Sequence, residues 1–294
     1  MAIFNKARKL GYDYNERASA EGKRLKVQSD LLLRSDKPIY TEVMNRHLGG
    51  TVLDIGCNEG DAAMSRFEGL EVGEYVGIDV SEVAVQHAQE KYGDDDTHFF
   101  VLDVMDNNAA SMLASVLRGL RIDRVDVICI SFVLLHVSDP DKLLKLVYPF
   151  LNVGGQIIIK DIDDGDNRAT PDPDGRFAES YKIAATCRNG GNRIIGREIP
   201  RMLKSTGFRD IACRVKGISS IGMNEEQKQA LWDTYYGFFT EVAKQECKYT
   251  NGGQQAIWNY GWCHYWLPTL HERFMAPTFE FTLGICTYTA TKEA

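Results

Sequence analysis

Val52-Leu53-Asp54-Ile55-Gly56-Cys57-Asn58-Glu59-Gly60 is an apolar run that breaks into a glycine-containing turn, with a helix-compatible stretch, Asp61 to Phe67, directly behind it. A strand that feeds a helix through two glycines puts backbone without Cβ where a ligand can approach closely, and it aims helix N–H groups at that ligand. The spacing narrows the choice of ligand. A dinucleotide fingerprint needs G-x-G-x-x-G, whereas three residues separate Gly56 from Gly60 and Asp54 precedes the turn; a phosphate loop needs a Lys-Ser/Thr pair that does not follow.

Outward from this turn, β-rich and helical segments alternate. Strands are predicted over 51–55, 75–79, 98–102, 125–131 and 156–161, with helices over 61–67, 83–92, 108–119 and 141–150 between them. This is the pattern of a parallel sheet wound with crossover helices. The Gly154-Gly155 pair reads as the stop of the last of these helices. Residues 1–48 read as an N-terminal cap of two or three short helices, broken at Pro38. After Asp161 come an acidic loop, 162–175, a helix to Arg188, another over 197–205 and a strand over 211–221. One long amphipathic helix is predicted over 225–246, and a closing strand over 279–288. The division is a cap, 1–48, a core, 49–222, completed by 277–294, and a helical insertion, 223–276.

The 294 residues carry 34 Lys and Arg against 41 Asp and Glu, net −7. No global field attracts nucleic acid or an anionic membrane, so no nucleic-acid partner is expected. Residues 1–48, with ten basic and six acidic side chains, are locally positive. The apolar run 125–137 falls short of the roughly 18 to 20 residues of a membrane span, and the first twelve residues lack the apolar stretch of a secretory signal. Seven cysteines without CxxC or zinc spacing fit reduced thiols in a cytoplasm. The uneven acidic loop lacks EF-hand spacing, so no metal is expected.

Three further segments complete a pattern. Val76-Gly77-Ile78-Asp79-Val80-Ser81 ends in a carboxylate 19 residues after Gly60; Phe100-Val101-Leu102-Asp103-Val104-Met105 ends in another; Val127 to Val137 contains Ser131, Phe132 and His136. In this order and spacing, residues 49–161 resemble the class I S-adenosylmethionine-dependent methyltransferase superfamily. Its first motif is D-x-G-x-G-x-G, with Asn58 here in place of the middle glycine, an exchange that the left-handed tolerance of Asn permits. The resemblance implies a Rossmann-like, seven-stranded, mostly parallel sheet with helices on both faces, its last strand antiparallel beside 211–221. It implies S-adenosylmethionine as cofactor. Asp79 would bind both ribose hydroxyls, Asp103 the adenine amine, Val104 and Met105 the ring, and the Ser131-Phe132 segment the methionine part, with Asp54, Gly56, Asn58, Gly60 and Val80 completing the site. The plain alternative for Asp79 is an N-cap of the next helix.

Methyl transfer from a sulfonium is downhill, so alignment and water exclusion come first and a base is optional. Candidates for that base are His136, after the fourth strand, and Asp161 with Asp163, at strand spacing on the sheet's carboxyl edge. Their alternatives are a packed histidine and an acidic loop that is solvated or supplies an N-cap. The aromatic-dense stretch 231–266 reads as a lid over an aromatic or cationic small molecule, or else as a homodimer interface or a helical core. Trp258, Trp262 and Trp266, four apart, are expected on one helix face turned to the pocket. The function expected is methyl transfer to oxygen or nitrogen of a small molecule. An RNA or protein methyltransferase docking through the cap, and a cofactor-binding subunit without turnover, are the other readings.

Overall fold

The computed structural model describes residues 14–186 and 191–293. Five parallel strands, β1 (Gly50–Ile55), β2 (Val72–Asp79), β3 (Thr97–Val101), β4 (Val125–Ser131) and β5 (Leu151–Ile162), lie in the order β3-β2-β1-β4-β5. The sheet continues through β6 (Arg168–Thr170), β7 (Arg209–Ser219) and β8 (Glu280–Thr291). The closing strand β8 inserts antiparallel between β5 and β7, as expected. The short β6 is an eighth strand, formed inside the acidic loop and paired with the start of β8.

The helices are α1 (Tyr14–Arg46), α2 (Asp61–Phe67), α3 (Glu82–Tyr92), α4 (Ala109–Gly119), α5 (Pro140–Val147), α6 (Arg176–Thr186), α7 (Ile199–Thr206), α8 (Glu225–Tyr235), α9 (Phe239–Tyr249) and α10 (Gln254–Met275). Alternate strand residues face opposite layers. Leu53, Val76, Ile128 and Ile157 join the core that contains α4 and α5, while Val52, Tyr75, Val127 and Ile158 pack under α1, α2 and α3. Strand order reverses at β1, with β2 on one side and β4 on the other, and in open α/β sheets ligands bind at the carboxyl ends of the strands beside such a switch point. No described helix is long and apolar enough to cross a membrane.

Four departures from the sequence expectations have physical causes. The cap is one described helix that runs through Pro38. Interior proline costs about 3 kcal/mol, but Ile39, Tyr40, Val43 and Met44 just beyond it are buried, and full burial contributes about 1.5 to 3 kcal/mol for a large apolar side chain. Residues 1–13, with the charges Lys6, Arg8, Lys9 and Asp13, lie outside the described residues, as do 187–190 at the predicted end of the helix to Arg188. The long helix over 225–246 divides into α8 and α9 at Gly237, whose N–H reaches back to the Trp232 carbonyl at 3.1 Å. Finally, α5 stops at the Tyr148-Pro149-Phe150 turn, where proline lacks the N–H to continue. Gly154, at φ +82°, sits instead inside β5, whose register against β4 shifts between Leu151 and Gln156.

Candidate functional site

Gly56 takes φ +78° and donates its N–H to the Ile78 carbonyl at 2.7 Å. A Cβ here would lie 2.3 Å from Cγ2 of Val133, so only glycine fits. Asn58 is left-handed too, at φ +51°; its side chain accepts the Glu59 N–H at 2.7 Å. Its backbone N–H donates to Asp79 Oδ2 at 3.0 Å, which ties the turn after β1 to the end of β2. Gly60, at φ +81°, opens α2.

The other Asp79 oxygen accepts the Ser81 N–H at 2.8 Å. The N-cap of α3 is Ser81, whose hydroxyl accepts from Ala84, so the capping alternative for Asp79 does not hold. Burial raises the Asp79 pKa, and the Ser81 and Asn58 amides act against it. A carboxylate offers about four lone-pair directions, so capacity remains for a pair of hydroxyls. Beside it, Val80 is 45% exposed and presents an apolar surface at the strand end. Asp103 Oδ1 accepts the Met105 N–H at 2.8 Å in a tight turn, with Val104 buried and Met105 half-buried. These residues suit an adenosine group. Asp54 differs: it is 5% exposed beneath the turn, accepts from the Tyr75 hydroxyl at 2.8 Å, and is pushed up to about 6 by burial.

At the end of β4, Phe132 donates its N–H to the Lys160 carbonyl at 2.8 Å while held at φ +56°. Left-handed backbone in an aromatic residue costs roughly 1–2 kcal/mol and persists only where the surrounding structure over-determines it. His136 follows, half-buried, its N–H on the Val133 carbonyl at 2.9 Å. Asp161 is fully buried; its oxygens accept the Ile162 N–H at 2.8 Å and the Leu135 N–H at 3.2 Å, and burial drives its pKa up to about 7. It therefore pins from below the turn that carries His136.

Asp163 has another task. Arg197 Nε lies 2.9 Å from both of its oxygens and Nη2 2.6 Å from Oδ1. Asp164 pairs with Arg193, and Asp166 with Lys216 at 3.2 Å. The acidic loop is thus an ion-paired structure rather than a solvated one, and Asp161 and Asp163 serve different neighbours instead of forming a free carboxylate pair. Among the described residues, no group of three His, Cys, Asp or Glu is placed to hold a metal.

The three tryptophans of α10 do not share one environment. Trp258 is 49% exposed, Trp262 is buried with Nε1 donating to Glu179 at 2.9 Å, and Trp266 lies under the Arg176 guanidinium, 4.2 Å from its ring centre. Four residues advance a helix by about 40° beyond a full turn, so the three rings fan around the helix instead of lining one face. Trp232, Tyr235, Tyr236, Phe274 and Phe281 form a buried ring cluster instead.

The sequence reading missed a buried triad on the α1–α2 face. Asp36 accepts Arg66 Nε at 2.9 Å and contacts the Lys160 ammonium, and Arg66 Nη1 lies 3.4 Å from Ser131 Oγ. The available signal was Lys160 itself, a cation directly after Ile157-Ile158-Ile159 in the strand predicted over 156–161.

Comparison with known proteins places this geometry. Residues 53–157 match the methyltransferase domain family. A 37.1 kDa protein of transposon TN4556 from Streptomyces fradiae is 24% identical over 176 residues, 60% of this chain and 48% of the relative. Phosphoethanolamine N-methyltransferase 1 of Arabidopsis thaliana is 27% identical over 172 residues, 58% of this chain and 31% of the relative. The aligned region thus spans half or less of either relative. A chain from the complex between the Haloferax volcanii Trm112 methyltransferase activator and a methyltransferase shares the fold, with TM-score 0.54 and 14% identity over 96% of this chain and 98% of that one.

Proposed function

In a chain that belongs to the class I S-adenosylmethionine-dependent methyltransferase superfamily, we propose an enzyme that moves a methyl group from that cofactor to a nitrogen or oxygen of a small molecule. The observation that carries the proposal is the Asn58–Asp79 bond, which joins a glycine-containing turn to a strand-end carboxylate with spare acceptor capacity at the sheet's switch point. When bound, the cofactor supplies an electrophilic methyl on a cationic sulfur. Asp79 takes the ribose hydroxyls, Asp103 the adenine amine, and Val80, Val104 and Met105 the ring. The Gly56–Gly60 turn, Ser131 and Phe132 hold the methionine part. His136 is the acceptor-side base, suited by its near-neutral pKa range, and Asp161 acts through it as a positioning residue. Asp163, saturated by Arg197, is structural in this scheme.

Two observations favour a small acceptor over RNA or protein. Described basic residues of the cap are engaged locally: Lys26 with Asp30, Lys37 on the carbonyls of Arg66 and Glu68, and Arg46 with Glu42. The similarity to phosphoethanolamine N-methyltransferase 1 points the same way and favours an amine. The described part of the cap, 14–48, and the insertion, 223–276, then close the substrate side of the core. Calorimetric titration with S-adenosylhomocysteine tests the cofactor half. Incubation with labelled cofactor and fractionated cell extract tests the other: label in small molecules supports the proposal, and label confined to RNA or protein overturns it.

A further inference from the structure

Lys160 is fully buried on the face of β5 that α1 and α2 cover, and its counter-ion Asp36 is shared with Arg66. Their side chains are at most 7% exposed, so little water screens them. Two cations share one carboxylate, which leaves the triad with an excess positive charge. Burial pulls the Lys160 ammonium down to about 7, with Asp36 as the carboxylate in contact with it. Arg66 also lowers the carboxyl of Asp54, which burial raises.

The triad touches the cofactor edge. Arg66 Nη1 reaches Ser131 Oγ, and Lys160 stands opposite Ser131 in the β4–β5 register. β1, with its turn, is one strand further on. Two strand spacings, about 10 Å, separate β5 from β1. Packing alone gives no reason for such an arrangement, since apolar side chains of similar volume are often as stable as buried ion pairs.

We infer that Asp36 is a specificity-determining residue: by cancelling one of two buried positive charges beneath the cofactor edge, it lets the site hold a cationic sulfonium against competition from the neutral thioether left after methyl transfer. This rests on the cofactor assignment proposed above. A unit charge at about 10 Å in an effective dielectric of about 20 changes the affinity for a cation on the order of tenfold and leaves a neutral ligand nearly untouched.

Calorimetric dissociation constants for S-adenosylmethionine and S-adenosylhomocysteine, taken side by side on the full chain, test it. In the Lys160→Met background, where the permanently charged Arg66 is the cation left in the triad, Asp36→Asn should weaken S-adenosylmethionine on the order of tenfold and S-adenosylhomocysteine by less than about threefold. Lys160→Met should move the ratio of the two constants the other way, and the double variant, with one buried cation left, should restore it. Parallel changes in both ligands, or an unchanged ratio in Lys160→Met, overturn the inference and leave Asp36 a packing residue. If Asp36→Asn does not fold, Lys160→Met alone decides. A native protein that binds neither ligand overturns the cofactor assignment, and this inference with it.

Discussion

Alanine at position 79 separates two demands on one carboxylate. In the fold, Asp79 accepts the Asn58 and Ser81 amides, and hydrogen bonds to a charged group contribute about 1.5–3 kcal/mol each. Against this, burial raises its pKa, so the ionised group is disfavoured in the fold relative to the unfolded chain. The two effects largely offset, and Asp79→Ala should cost about 1–2 kcal/mol, a melting-point drop of a few degrees. The cofactor has no such compensation. Losing both ribose contacts at about 1.5 kcal/mol each weakens binding by about 3 kcal/mol, on the order of a hundredfold. Titration calorimetry with S-adenosylhomocysteine, alongside a thermal melt, reads both quantities. A folded variant that binds within about threefold of the native protein would refute the assignment of Asp79.

Asp161, raised from 3.8 to about 7, contributes stability that is fully present below about pH 4 and lost as pH rises through 7. Asp161→Asn lacks that loss, so the melting-point advantage of the native protein should shrink between pH 4 and 7 and level off above; parallel curves would contradict this. At Asn58, φ +51° makes Asn58→Gly nearly silent in cofactor affinity and fold, while Asn58→Val should cost roughly 1–2 kcal/mol in urea unfolding. Trp262→Ala should destabilise by about 3–5 kcal/mol, because it empties a buried site and removes the Glu179 bond. Trp258→Ala, on the exposed side of the same helix, should stay within about 0.5 kcal/mol, and equal losses would mean the helix is turned otherwise.

The fold was legible where local backbone needs and periodicity agreed. Val52 to Gly60 announced its own conformation, since Gly56, Asn58 and Gly60 all take positive φ, and the helix over 61–67 was placed to the residue. The antiparallel position of β8 came from resemblance, because periodicity shows strands without their neighbours. Local rules misled where packing opposed them. Pro38 signals a break, yet the buried side chains behind it hold α1 together. Gly154-Gly155 signals a helix stop, yet its glycine conformation serves a bulge in β5 paired to the chain end at Lys292.

For the site, the dividing line is how far away in sequence a residue's partner lies. Asp79 and Asp103 bond amides two residues on, and those turns can be inferred from the strand ends that carry them. Asp163 could not be read this way: its partner Arg197 is 34 residues distant, and that pairing turns an apparent base into a structural anion. Trp262 finds Glu179 across 83 residues, and Lys160 finds Asp36 across 124. A lysine after three isoleucines in a buried strand demands a counter-ion on physical grounds alone. Which of 41 acids supplies it is decided by how α1 lies across the sheet, and that packing also places the charge beneath the cofactor edge.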